Sequence, residues 1–192
     1  MILGITGGTG CGKTTLLKLI EEKGGLILDC DAIYHQLLAT DKELLAAIDA
    51  RFPGTVENGQ LQRKKLGAIV FSNTEALMDL NKITHSAIRA EVLRRLEAAP
   101  CLAAIDAIAL FEAGLAEFCQ ITVAITAPEE DRIQRLMARD QIPEAYARSR
   151  ISAQHPDDWF RKRCGYTLEN NGTQQQFREK CVAFLANLGI MD

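Results

Sequence analysis

The chain opens with an apolar run, Ile2 to Thr6, then a stretch of small residues, then Thr14 to Lys23, whose leucines and isoleucine recur at helical spacing. Short apolar runs keep alternating with helical stretches to the end. Gly25 to Leu28, Cys101 to Ile105, Ile121 to Ala127 and Tyr166 to Leu168 predict four more strands. Their near-continuous hydrophobicity suits strands buried on both faces, as in a parallel sheet. Helical periodicity predicts helices from Ala32 to about Ala50 (broken near Thr40-Asp41), Leu61 to Phe71, Glu75 to Ala98, Pro128 to Asp140, Glu144 to about Gln154 and Asp157 to Cys164. A last helix carries Phe177, Cys181, Phe184 and Leu188 along one face. Pro53-Gly54, Asn58-Gly59 and Asn170-Asn171-Gly172 mark turns. The pattern predicts an α/β fold with three layers, α/β/α, around a parallel central sheet.

Between the first strand and the first helix stands Gly7-Gly8-Thr9-Gly10-Cys11-Gly12-Lys13-Thr14, the spacing G-x-x-x-x-G-K-[ST] of a phosphate-binding loop, or P-loop. In such a loop the backbone N–H groups cradle phosphates, the lysine reaches the outer ones and the hydroxyl after it is offered to Mg²⁺. The helix N-terminus adds its partial positive charge. Gly8, Thr9, Gly10, Cys11, Gly12, Lys13, Thr14 and Thr15 are therefore the candidate nucleotide contacts, with Thr14 a candidate metal contact, partly through water.

Two further carboxylates invite chemistry. Leu28-Asp29-Cys30-Asp31 closes the second strand, and if it stays extended Asp29 and Asp31 point to the same side. Ligands of open parallel sheets lie beyond the carboxyl ends of the strands, so Asp31 is a candidate for catalysis or metal assistance. The competing reading is a cap on a helix beginning at Ala32. Asp106, at the end of the apolar run Cys101 to Ile105, has the Walker B arrangement for a metal, and Phe111 and Glu112 follow it closely enough to face the same cleft.

The helices between Ala32 and Ala98 hold no convincing strand and exceed an ordinary crossover. A helical substrate-binding subdomain over 32–100 is expected within a single domain, 1–192. Segments 1–31, 101–138 and 164–192 form the nucleotide-binding core of that reading. His85 shares a helical face with Ile88, Val92 and Leu96, which suits a packed core histidine as well as a substrate contact. Arg132, Arg135 and Arg139 share another face of their helix; Arg132 reads as solvated, whereas Arg135 and Arg139 suit a phosphate lid. Arg148 and Arg150 could join that lid over 139–163, with Pro143 and Pro156 as its hinges.

Composition narrows the partners. The 192 residues carry a formal charge of −3 and are 47% hydrophobic. No basic field suggests a nucleic-acid partner, and no apolar run approaches membrane-spanning length. Six cysteines lie scattered without a C-x-x-C pair, which argues against a disulfide frame or zinc site. The opening residues read as strand rather than as a cleavable leader, so a reducing cytoplasm is expected.

Taken in order, Ile5 to Thr15, Leu28 to Asp31, Leu61 to Asn73 (L-Q-R-K-K-L-G-A-I-V-F-S-N), Thr84-His85, Asp106 to Glu112, Arg135 to Asp140, Arg150 to Gln154 and Glu169 to Gly172 resemble the dephospho-coenzyme A kinase family over nearly the whole chain. The resemblance implies ATP as phosphoryl donor with Mg²⁺, dephospho-CoA as acceptor through its ribose 3′-hydroxyl, and a monomer or weak homo-oligomer. It makes Asp31 the base and a metal contact, with Lys13 and Arg139 its catalytic companions, and Asp106 a metal and substrate residue. Arg135, Arg139 and Asn171 fall to ATP; His85, Phe111 and Glu112 fall to the substrate. Asn170 and Asn171 fall at the adenine end. The chain departs from the family at Ser86, where proline is usual after the histidine, and at Ile108 and Ala109 within the usual D-x-P-L-L-F-E. Two other readings share the loop: a nucleoside or nucleoside monophosphate kinase, and a nucleotide-operated switch, for which Asn81-Lys82-Ile83-Thr84 resembles a guanine-reading motif.

Overall fold

The computed structural model describes residues 1–99 and 101–191; Pro100 and Asp192, which end two of the segments predicted from sequence, lie outside the described residues. In chain order the elements are β1 (Ile2–Thr6), α1 (Lys13–Glu22), β2 (Leu26–Asp29), α2 (Cys30–Thr40), α3 (Lys42–Arg51), β3 (Val56–Glu57), β4 (Gln60–Leu61), α4 (Arg63–Val70), α5 (Thr74–Glu97), β5 (Ala103–Asp106), β6 (Ile121–Thr126), α6 (Glu129–Asp140), α7 (Glu144–Ser152), α8 (Asp157–Arg163), β7 (Tyr166–Glu169) and α9 (Gln174–Asn187). They form two compact units, one of Met1–Leu28, Ala99–Phe111 and Leu115–Asp192, the other of Asp29–Ala98 with Glu112–Gly114.

The first unit is built on a five-stranded parallel sheet in the order β2-β5-β1-β6-β7. β1 lies in its middle, with Ile2 opposite Ala103 of β5 and Leu3 opposite Ile121 of β6; β6 continues to β7 with Val123 opposite Tyr166. Leu3 and Ile5 on one face and Gly4 and Thr6 on the other are all buried, as a central strand covered on both faces requires. Leu16, Leu19 and Ile20 of α1 and Phe177, Cys181 and Leu185 of α9 pack with Leu3, Ile5, Val123 and Ile125 in one core. Removing such side chains from water stabilises by about 1.5–3 kcal/mol each. A smaller cluster seats α7 on α6 through Ile133, Leu136, Ala147 and Ile151.

The second unit is helical apart from one hairpin. The turn at Asn58-Gly59 joins two short antiparallel strands, β3 and β4, with Val56 opposite Leu61. Both turn residues have positive φ, 52° and 73°, the geometry that suits a two-residue hairpin. Strands of two residues are too short to show an alternation, which is why the sequence shows only a turn there. The break between α2 and α3 is Asp41, whose carboxylate accepts the N–H groups of Glu43 and Leu44 at 2.9 Å.

The paired-carboxylate expectation is corrected. Asp29 ends β2 and caps α2, accepting the Ala32 N–H at 3.0 Å, so the helix begins at Cys30 rather than Ala32. Asp31 thus lies in the first helical turn, exposed, and neither shares an extended segment with Asp29 nor serves as the cap. The carboxylate nearer the strand satisfies the orphan N–H first.

Candidate active site

The glycine loop leaves the carboxyl end of β1 and turns into α1 at Gly12, whose φ of 97° is left-handed. The Lys13 ammonium lies 3.2 Å from the Gly7 carbonyl and 3.8 Å from a carboxylate oxygen of Asp106 at the end of β5. The strand that sequence marked as Walker B is thus the neighbour of β1, and its terminal aspartate meets the loop lysine. Cys11 is fully buried, and burial pushes its thiol up, which leaves it a packing residue rather than a nucleophile. Thr14 is exposed in the first turn of α1.

The arginines of α6 divide differently from expectation. Arg132, read as solvated, is only 4% exposed; it donates through Nε to the Thr9 carbonyl at 2.9 Å and through Nη1 to Asp157 at 3.2 Å. Its helix face packs on the loop; the loop carbonyl and Asp157 replace water at Nε and Nη1, whereas Nη2 is buried without a hydrogen-bond partner among the described residues. An ideal Cβ on Gly8 would stand 2.1 Å from Arg132 Nη2, so a larger residue there would have to displace the guanidinium. Arg135 donates to the Gly10 carbonyl at 3.1 Å. Arg139 is exposed and forks onto Asp140 at 2.6 and 2.9 Å, and Arg150 bonds the same carboxylate at 2.5 Å. Those two bonded guanidiniums hold the Asp140 carboxyl well below its ordinary range.

Asn171 is exposed and lines a cavity of about 670 Å³, together with Thr126, Arg132, His155 and Arg161, at the ends of β6 and β7. Asn170, its neighbour, is buried and donates its side-chain amide to the Cys11 carbonyl at 2.8 Å. The E-N-N-G run pointed to the nucleotide, but which asparagine supports the loop is not visible in the run. Gln154, to which the sequence pattern assigns no role, accepts the Thr9 N–H through its side chain at 2.8 Å. Phe111 meets Trp159 edge-on, ring centroids 5.9 Å apart.

In the second unit, His85 and Glu112 line a groove of about 590 Å³ with Asn81, Lys82 and Arg89. His85 is half-buried, and its neighbour Thr84 is buried, with its hydroxyl bonded to the Leu80 carbonyl. His85 is thus partly packed, sharing a hydrogen bond with the Glu112 backbone, and also lines the groove. Burial pushes its imidazole below the ordinary 6.5, against an opposing pull from Glu112. Asn81 to Thr84 lie within α5 rather than after a strand, which removes the switch-type motif.

A phosphate loop between the central strand of a parallel sheet and a helix, with a lysine and an aspartate at its mouth, defines the class as a P-loop nucleotide-binding protein. The fold is shared with shikimate kinase from Bacteroides thetaiotaomicron, at a TM-score of 0.60 and 16% identity over 98% of each chain. The particular family is narrower. The family model for dephospho-CoA kinase matches residues 1–176. Dephospho-CoA kinase of Syntrophotalea carbinolica is 37% identical over an alignment of 195 residues, 98% of this chain and 92% of that protein. That of Geobacillus kaustophilus is 34% identical over 191 residues, 96% and 95%. Dephospho-CoA kinase from Campylobacter jejuni superposes with a TM-score of 0.68 at 26% identity, covering 97% and 96% of the two chains. The chain belongs to the dephospho-CoA kinase family, and its activity is the ATP-dependent phosphorylation of dephospho-CoA in coenzyme A biosynthesis. Among the described residues no helix is long and apolar enough to cross a membrane.

Proposed function

We propose that the γ-phosphoryl group of ATP passes in line to the ribose 3′-hydroxyl of dephospho-CoA, with the roles divided as follows. The hydroxyl oxygen bonds to the γ-phosphorus as the bond to the β–γ bridging oxygen breaks; the hydroxyl proton goes to Asp31 and ADP leaves. Both carboxylates of the L-D-C-D run are exposed, but Asp29 is committed to capping α2, which leaves Asp31 as the one not spent on a cap, and this observation carries its assignment as base. Lys13 and the loop amides from Gly8 to Thr15 stabilise the charge developing on the transferred group. Arg135 and Arg139 add guanidinium forks to the phosphates, the latter exchanging Asp140 for them.

Thr14 and Asp106 offer oxygen donors, the kind that Mg²⁺ takes while keeping several waters, so they fit that ion, and Asp31 is proposed as a third. Magnesium held by these residues would supply charge neutralisation on the phosphates. Asn171 belongs at the base end of ATP, where the 670 Å³ cavity has room for a nucleoside. His85, Phe111, Asp106 and Glu112 belong to the acceptor. The reading keeps the enzyme in the cytoplasm as a monomer or weak homo-oligomer, without nucleic-acid or membrane partners; cell fractionation and sedimentation check both points.

The test is mass spectrometry of dephospho-CoA incubated with ATP, Mg²⁺ and protein, with the added phosphate located by fragmentation. One phosphate on the 3′-oxygen is the expected product. Saturable ADP release with AMP, CMP or uridine, and none with dephospho-CoA, would replace this acceptor by a nucleotide or nucleoside.

A further inference from the structure

Thr9 is held from two directions. Its N–H donates to Gln154 Oε1 at 2.8 Å and its carbonyl accepts from Arg132 Nε at 2.9 Å, while Arg135 takes the next carbonyl, that of Gly10. Thr9 is 6% exposed, so a bond lost here leaves a polar group with little water to replace it. Arg132 is itself tied to Asp157, the first residue of α8.

These grips come from different elements. Arg132 and Arg135 belong to α6. Gln154 stands two residues past the end of α7, its own N–H bonded to the Ile151 carbonyl, and Ile151 and Ala147 pack on Ile133 and Leu136 of α6. Gln154 is therefore delivered to the loop by the seating of α7 on α6. Thr9 directly precedes the amides of Gly10 to Thr14, so the orientation of its peptide planes sets where those N–H groups point.

We propose that Gln154 is a positioning residue for the donor loop, acting with Arg132 through Thr9, so that ATP affinity depends on how the segment between Pro143 and Pro156 is seated on α6. Gln154 touches no phosphate in this scheme; it presents an uncharged acceptor, which holds the Thr9 N–H without adding negative charge beside a polyanion. The proposal rests on the reading of the chain as an ATP-using kinase.

Wild-type turnover of dephospho-CoA is measured first, and its absence would sink the kinase reading itself. Gln154→Met keeps the bulk and removes the acceptor; Gln154→Glu restores an acceptor and is measured in high salt to screen its charge. The expected result is an increase of about tenfold in the calorimetric Kd for ATP, and in its KM, with Gln154→Met. KM for dephospho-CoA should stay within about twofold, and Gln154→Glu should recover most of the lost affinity. A general loss of packing would instead raise both KM values together and would not be relieved by glutamate. Either of those outcomes, or an ATP Kd for Gln154→Met within about twofold of wild type, overturns the proposal. Should Gln154→Met not fold, Gln154→Ala is read against Gln154→Glu by the same criteria.

Discussion

Asn170 donates its side-chain amide to the carbonyl of Cys11 across 2.8 Å, while its backbone N–H is held by the Thr126 carbonyl at 2.8 Å. The turn after β7 therefore braces the phosphate loop at its midpoint. An ideal Cβ on Gly12 would stand 2.4 Å from the Asn170 side-chain nitrogen, at a φ of 97° that already disfavours any other residue. Gly12→Ala should displace Asn170 and strain the turn together, reducing ATP affinity by at least about tenfold. Asn170→Ala should remove only the brace and lower Tm by a few degrees, about the effect of losing one buried hydrogen bond. Calorimetry and thermal melts check the pair.

Lys13 is mostly buried between the Gly7 carbonyl and Asp106. Lys13→Met keeps the stem and removes the charge. It should lower kcat/KM by about a hundredfold or more while leaving the melt nearly unchanged, because the lost stabilisation belongs to the transition state. Steady-state kinetics beside circular dichroism separate the two.

Asp31→Asn keeps an exposed side chain of the same size in the first turn of α2. As the base, Asp31 should be worth about 10²–10⁴ in kcat, with the calorimetric Kd for ATP within about twofold of wild type. A variant that keeps near-full turnover would remove it from that role.

His85 gives the helical unit a pH dependence. Its imidazole titrates below the ordinary 6.5 because burial disfavours the charged form. A depressed value means that the stabilisation is complete above pH 6.5 and is lost as the pH falls through the folded value. Melts recorded from neutral to acid pH should therefore fall less steeply for His85→Gln than for wild type. If His85 also meets the acceptor, the same substitution should raise KM for dephospho-CoA and leave KM for ATP unchanged.

Much of the donor half was legible in the chain because it is written in local rules. A phosphate loop needs glycines at fixed intervals, a lysine and a hydroxyl, all within eight residues, and the apolar run before it and the helix after it are equally local. Asp106 was legible for the same reason, as the polar end of a buried strand.

What the sequence alone determined is thus the strands of the central sheet, the loop, the long helices of the second unit and the family to which their order points. Tertiary structure decided where the charges and amides of the later helices go. Arg132, Arg135 and Arg139 look alike at helical spacing, yet one is buried on the loop, one bonds its next carbonyl and one forks onto Asp140. Asp29 and Asp31 are the same residue type two positions apart, and only the start of α2 makes one a cap and places the other in the first helical turn. Gln154 and Asn170 reach the loop from more than a hundred residues away. The physical reason is common to all of them: a polar side chain is assigned by the partner that compensates its desolvation, and that partner is brought by the packing of distant elements, which periodicity along the chain does not encode.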